Sequence, residues 1–204
     1  MKKFLIVSLA VLFTAALMPQ SAAAAVGVKG GLAMSNLSMS EAPGVPLKSL
    51  KVPVAGFFYG FNLGLFTIQP EILYVRMGAR LEADASNWLE ERIETIQVPV
   101  LLKINVIPGP ISPMIYAGPY GAFRLSAKEV MTIDGVSTSS DIKDQTKSTD
   151  FGAVFGGGIE FKLVAIRLSA EVRYNLGLAN VAVDPAPGFS VKNKILMVLV
   201  GIGF

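Results

Sequence analysis

Residues Ile166–Leu176 alternate without a break: Arg167, Ser169, Glu171, Arg173 and Asn175 are polar, and Ile166, Leu168, Ala170, Val172, Tyr174 and Leu176 are apolar. A period of two is that of a β-strand, whose successive side chains leave opposite faces. The same period predicts eight strands: Val26–Met34, Ala55–Phe66, Thr67–Arg80, Ile93–Val106, Pro113–Ala127, Asp150–Lys162, Ile166–Leu176 and Ile195–Phe204. Pro70 suits a strand start. Pro99 and Pro119 fall inside strands and predict bulges, because proline removes a ladder donor. No helical pattern follows Gly156–Gly158, so this run is not a nucleotide loop; it marks a bend, or room for inward side chains from other strands.

The connections alternate in length. Ser35–Val54, Leu81–Arg92, Lys128–Thr149 and Gly177–Lys194 are long, whereas Phe66–Thr67, Ile107–Ser112 and Leu163–Ala165 are short. An up-and-down meander then has every long loop at one end and both mature termini at the other. Outer-membrane barrels have this layout, with short periplasmic turns and long external loops. Lys128–Thr149 also holds Asp134-Gly135, a hairpin-turn dipeptide.

The two strand faces differ in what they tolerate. The face with Val98, Val100, Leu102, Leu168, Val172, Val198 and Val200 has no charge at mid-strand. A lipid-facing charge at the midplane would cost roughly 2–4 kcal/mol. Arg76 and Arg80 share parity with Ile72 but stand at the loop end, where arginine reaches the interface. The opposite face collects Glu71, Lys103, Arg124, Glu160, Arg167, Glu171 and Arg173. An eight-stranded interior is just wide enough for side chains to fill it. These seven are therefore expected to form a charge lattice that closes a polar lumen. A soluble lipocalin-like ligand-binding barrel reverses this polarity and needs no uncharged outer band. The expected fold is all-β: an eight-stranded antiparallel up-and-down transmembrane β-barrel.

Composition narrows the class further. Charged residues are 16% of the chain and hydrophobic ones 52%, while soluble domains carry charges nearer a quarter. Beyond the N-terminus there is no apolar run of about 18 residues that would make a membrane helix. Lys2 and Lys3, the apolar Phe4–Met18 and the Ala22–Ala25 tract read as a cleaved signal peptide over 1–25, leaving a barrel domain over 26–204. Its removal takes two of the 18 basic residues and leaves 16 against 15 acidic ones, so no nucleic-acid partner is implied. There is no Cys and no His, hence no thiolate and no imidazole base. No cofactor is implied, and Glu82, Asp84 and Glu90 follow no calcium-loop spacing. Trp88, Tyr59, Tyr74 and Tyr174 suit aromatic belts at the membrane interfaces.

Several stretches resemble a known family: GVKGGLAMSN at Gly27–Asn36, IQPEILYVRMGA at Ile68–Ala79, IQVPVLLK at Ile96–Lys103, YAGPYG at Tyr116–Gly121, DFGAVFGGGIEF at Asp150–Phe161 and YNLGLANV at Tyr174–Val181, with Phe204 last. Together they resemble the outer-membrane β-barrel domain family that includes PorT-like proteins, with an architecture like the membrane domain of outer membrane protein A. The resemblance implies residence in the bacterial outer membrane after export through the periplasm. It also implies insertion by the barrel-assembly machinery, with Phe204 in the C-terminal insertion signal, and outer-membrane lipid as surroundings.

Three functions follow as expectations. The first is a non-enzymatic structural, envelope-integrity or surface-binding role, with Lys128–Thr149 presenting a surface to an envelope or surface protein. The second is a porin-like pore for small solutes, which would require the lattice to rearrange. The third is a lipid-modifying enzyme using Glu90 and Glu91 beside Trp88. No spacing supports a catalytic set there, so the expected protein is not an enzyme.

Overall fold

Backbone pairing follows the alternation around a closed ring. The computed structural model describes residues 24–39, 47–82, 86–107, 109–181 and 191–204. Apart from Ala24 and Ala25, the expected signal peptide lies outside these residues. The strands are β1 (Ala24–Met39), β2 (Leu47–Leu63), β3 (Phe66–Glu82), β4 (Trp88–Asn105), β5 (Ile111–Ile133), β6 (Val136–Asp141), β7 (Thr149–Lys162), β8 (Arg167–Gly177) and β9 (Val191–Gly203). All except β6 join in one antiparallel ring, in which β4 pairs with β5 and β1 with β9. Val26 and Phe204 exchange backbone hydrogen bonds of 2.9 and 3.2 Å at the seam between the first and last strands.

Each of the eight expected strands overlaps one ring strand, but several run further at the loop end. β2 starts at Leu47 instead of Ala55, and β5 continues to Ile133 instead of Ala127. A ladder continues beyond the apolar band because backbone pairing needs no hydrophobic alternation. The stretch expected as loop after Ala127 is therefore corrected in part: Lys128–Ile133 pairs with β6 as a hairpin. Its two turn residues have left-handed backbones, Asp134 at φ 49° and Gly135 at φ 79°, as a tight hairpin turn requires. Asn87 Oδ1 accepts from the Asp134 amide at 3.1 Å, and the Ser86 carbonyl accepts from the Gly135 amide at 3.3 Å.

The bulges expected near Pro99 and Pro119 are not there. Pro99 pairs with Tyr120 and Leu102 with Ala117, so the register is unchanged across both prolines. Val100 and Leu101 instead lack partners in that ladder, opposite Gly118 and Pro119. Proline's missing donor is accommodated here by a gap in the ladder, with no residue inserted. Register shifts occur elsewhere, between Ser49 and Val54 in β2 and between Glu94 and Thr95 opposite β5.

The outer wall is apolar. Phe57, Val172 and Val200 are 65%, 54% and 62% exposed there. Glu71, Glu171 and Arg173 point inward and are buried, the reverse of a lipocalin-like cup. The expectation of a polar lumen needs correction. Toward the loop end the interior is packed with Val52, Val54, Leu73, Val75, Met77, Ile195, Met197 and Leu199, joined by Ile142 from the segment after β6. A lumen this narrow holds no water column, so part of it packs as an ordinary protein core.

Candidate functional site

At mid-barrel the inward positions of five strands meet. β1 supplies Lys29, β3 Gln69 and Glu71, β4 Lys103, β5 Tyr116, and β8 Ser169, Glu171 and Arg173. Lys29 Nζ donates to Glu71 Oε1 at 2.8 Å and to Glu171 Oε1 at 2.9 Å. Arg173 makes a two-pronged contact with Glu71, Nη1 to Oε2 at 2.6 Å and Nη2 to Oε1 at 3.0 Å. Its Nη2 also reaches Glu171 Oε2 at 3.3 Å. Tyr116 donates its hydroxyl to Glu171 Oε2 at 2.9 Å, and Ser169 donates to Oε1 at 3.1 Å. Gln69 Nε2 donates to Glu71 Oε1 at 2.6 Å, while Gln69 Oε1 accepts from Lys103 Nζ at 2.9 Å.

Every carboxylate oxygen in this cluster thus has a donor. That is the condition under which two charges buried from water are tolerated at all. The sequence makes room for it locally. A Cβ on Gly156 would lie 2.5 Å from the Tyr116 ring, so a residue without a side chain on β7 is what lets that ring lie over the sheet toward Glu171.

The seven charges expected as a lattice separate into groups. Glu71, Glu171 and Arg173 bond directly, and Lys103 joins through Gln69. Glu160 lies 3.7 Å from Lys162, and with Lys103 and Arg167 it lines a cavity at the turn end. Arg124 stands apart near the loop end, donating to the Lys143 carbonyl at 2.8 Å and to Thr146. Two central members were not among the seven. Lys29 is the lone charge of β1, and its parity opposite Val28 marks it as inward. Tyr116 is uncharged and shares its inward face of β5 with Met114, Tyr120 and Ala122.

The cavities on either side of the cluster are small, about 20 Å³ each, room for about one water. One lies at the turn end beside Asn62, Thr67 and Ser169. The other lies under the loops beside Thr95, Arg124 and Asn193. The cluster between them closes the interior.

Glu90 and Glu91 sit beyond the apolar band, at the loop end of β4. Glu90 accepts from Arg80 Nε at 2.8 Å and from Arg92, and the Arg80 guanidinium lies 4.3 Å over the Trp88 ring. Burial would raise the Glu90 carboxyl, but the hydrogen bonds and charges of Arg92 and Arg80 outweigh it and hold it below the ordinary value. Glu91 faces Glu129 across the ladder. Burial first, and then the Glu129 charge, push its carboxyl up. One carboxylate is thus tied in an ion triad and the other is held closer to its neutral form. Among the described residues, the groups bonded to Glu90 are the guanidinium groups of Arg80 and Arg92.

Comparison with known proteins adds the following. The family profile described as outer membrane protein beta-barrel domain matches residues 18–183. No curated protein matches the chain. Among solved structures, Ail, the attachment invasion locus protein of Yersinia pestis, is 16% identical with a TM-score of 0.47, covering 90% of this chain and 100% of that one. Neisserial surface protein A is 15% identical with a TM-score of 0.48, covering 89% and 97%. The N-terminal barrel of Pseudomonas aeruginosa OprF is 9% identical with a TM-score of 0.39, covering 88% and 97%. The profile spans most of the chain, whose strands close into the eight-membered ring described above, and the chain belongs to the outer membrane protein beta-barrel domain family of the bacterial outer membrane.

Proposed function

We propose that this barrel is a non-enzymatic scaffold with a closed lumen, holding its loop end at the outer-membrane surface in a structural, envelope-integrity or partner-binding role. The observation that carries this reading is the saturated cluster of Lys29, Glu71, Glu171 and Arg173 across the lumen. A solute path would have to break it, at a cost of several kcal/mol for a buried charge left unpaired.

The β5–β6 hairpin supports a surface role. It stands outside the ring, and all six residues of β6 are exposed. Binding surfaces commonly lie on such segments held by a rigid scaffold. An envelope or surface protein is the partner class proposed, with outer-membrane lipid around the wall and the barrel-assembly machinery acting during insertion.

Two measurements test the reading. The purified barrel in planar bilayers should give no steady conductance, and a reproducible open state would overturn the closed lumen. In a deletion strain, a chain lacking 130–139 should still shift on gels between unboiled and boiled samples, yet fail to restore detergent resistance or surface binding. Full restoration would remove the hairpin from the proposal.

A further inference from the structure

The outer wall changes chemistry from one end to the other. At the turn end, its positions are occupied by residues such as Leu63, Phe66, Val106, Ile111, Phe161 and Leu168, with no charge among the described positions. At the loop end the same parity carries cations. On β3 and β4 these are largely compensated: Arg76 pairs with Glu94 at 3.0 Å, and Arg80 and Arg92 pair with Glu90.

On β9, β1 and β2 no described residue compensates them. These three adjacent strands contain no Asp or Glu at all. Lys51 on β2 shares the outward parity of Phe57, and Lys192 and Lys194 on β9 share that of Val198 and Val200. Lys51 pairs with Met34, Met34 with Leu196, and Lys194 with Asn36. From strand spacing and rise, Lys192 and Lys194 are about 7 Å apart along β9, and Lys51 and Lys194 are about 12 Å apart across β1. None of the three forms an ion pair with a described residue.

Like charges grouped on one face repel unless an anion lies among them. The wall directly below is lipid-facing, with Leu32 61% and Val198 50% exposed. A ligand for this face therefore needs negative charge at its head and apolar chains beneath. A soluble polyanion has only the first. The loop end is the external end of such a barrel, so the ligand belongs to the outer leaflet. We propose that Lys51, Lys192 and Lys194 form a binding face on β9–β1–β2 for the phosphate groups of a phosphorylated outer-leaflet lipid. This rests on membrane insertion and not on the closed lumen or the surface role, so either can fail without the other.

The test uses the purified full-length barrel in detergent. It is mixed with lipid A carrying its phosphates or with the same lipid after their removal, and bound lipid is counted by native mass spectrometry. The phosphorylated form should be retained in preference. The triple variant Lys51→Gln, Lys192→Gln, Lys194→Gln should lower its retention about tenfold or more. Arg92→Gln with Lys128→Gln, on the opposite wall, should leave retention within about twofold. These lysines are on the outside, and the gel shift on boiling verifies that each variant is folded. Lys194→Glu alone should also weaken retention. The proposal is overturned by equal retention of the dephosphorylated lipid, by undiminished retention in the triple variant, by an equal loss in the opposite-wall control, or by soluble pyrophosphate displacing the lipid at equal concentration.

Discussion

Glu71→Gln keeps the shape of a side chain at the centre of the lumen and removes its charge. Glu71 receives Lys29 at 2.8 Å and Arg173 at 2.6 and 3.0 Å, with its side chain fully buried. After the substitution, Lys29, Lys103 and Arg173 are left with Glu171 as the remaining carboxylate of the cluster. Breaking a buried pair by removing one partner costs about 3–5 kcal/mol, because the remaining charge keeps its desolvation cost and loses its compensation. With a urea slope of about 2 kcal/mol/M, the unfolding midpoint should fall by about 2 M. Replacing all five charges together (Lys29→Met, Glu71→Leu, Lys103→Met, Glu171→Leu, Arg173→Met) removes the desolvation cost along with the attraction. That variant should lie within about 1–2 kcal/mol of the parent or above it. The assay is urea unfolding of the barrel in lipid vesicles, followed by the unboiled gel band and by Trp88 fluorescence. The reasoning is refuted if Glu71→Gln unfolds at the parental midpoint, or if the fivefold variant falls as far as the single one.

Three further outcomes are expected. Glu90 is held below its ordinary value, so its stabilising contribution is present above the unfolded-state value near 4.5 and lost as pH falls through the lower folded value. Amide protection factors, exchange corrected for its intrinsic pH dependence, should fall at the loop ends of β3 and β4 on acidification through that window, and Glu90→Gln should abolish the dependence. Glu91 is raised, which has the opposite sign: its ionisation costs stability as pH rises, and Glu91→Gln should slow exchange at neutral pH relative to the parent. Gly156→Ala places a Cβ 2.5 Å from the Tyr116 ring; it should lower stability by about 1–3 kcal/mol in the same urea assay, and Tyr116→Phe should recover little of it because the ring remains. Gly135→Ala meets no neighbour within 4 Å but must hold a left-handed backbone, so it should weaken the β5–β6 hairpin by about 1 kcal/mol, read as faster exchange there and not in the ring.

Strand existence was legible because lipid outside and packing inside enforce one alternation over the whole membrane span. Ile93–Val106 and Ile166–Leu176 show it with hardly an exception. The loop-end extensions of β2 and β5 were not legible, since strands standing in water keep their ladder without an apolar face. β6, with Val-Ser-Thr-Ser-Ser-Asp and every residue exposed, has no alternation of burial to read, and its Asp-Gly turn was its one local signal. Parity predicted which charges point inward, but not how high each sits. Height depends on the stagger between strands, which is why Glu71 on β3 meets Arg173 on β8 while Arg124 on β5 ends among the loops. The apolar half of the lumen was hidden for a related reason. Leu73, Val75 and Met197 face inward with the same parity as the charges, and an apolar residue on a polar face looks like an irregularity until its neighbours across the ring are known.

The seam between β1 and β9 sets the order in which the chain can assemble. Val26 and Phe204 bond to each other, so the first strand to be made waits for the last. Bringing such distant segments together carries a loop-closure cost of about 4–5 kcal/mol, and most ladders in the ring cannot stand as an isolated hairpin in water. Until the final strand docks, β1 and the growing edge both present unpaired backbone and apolar side chains, the condition that favours aggregation. Closure of this chain is therefore all-or-none in time as well as in space: a chain that lacks β9 loses the whole ladder from Gly27–Gly203 to Met39–Val191 and is left as an open sheet with two reactive edges, not a slightly weaker barrel.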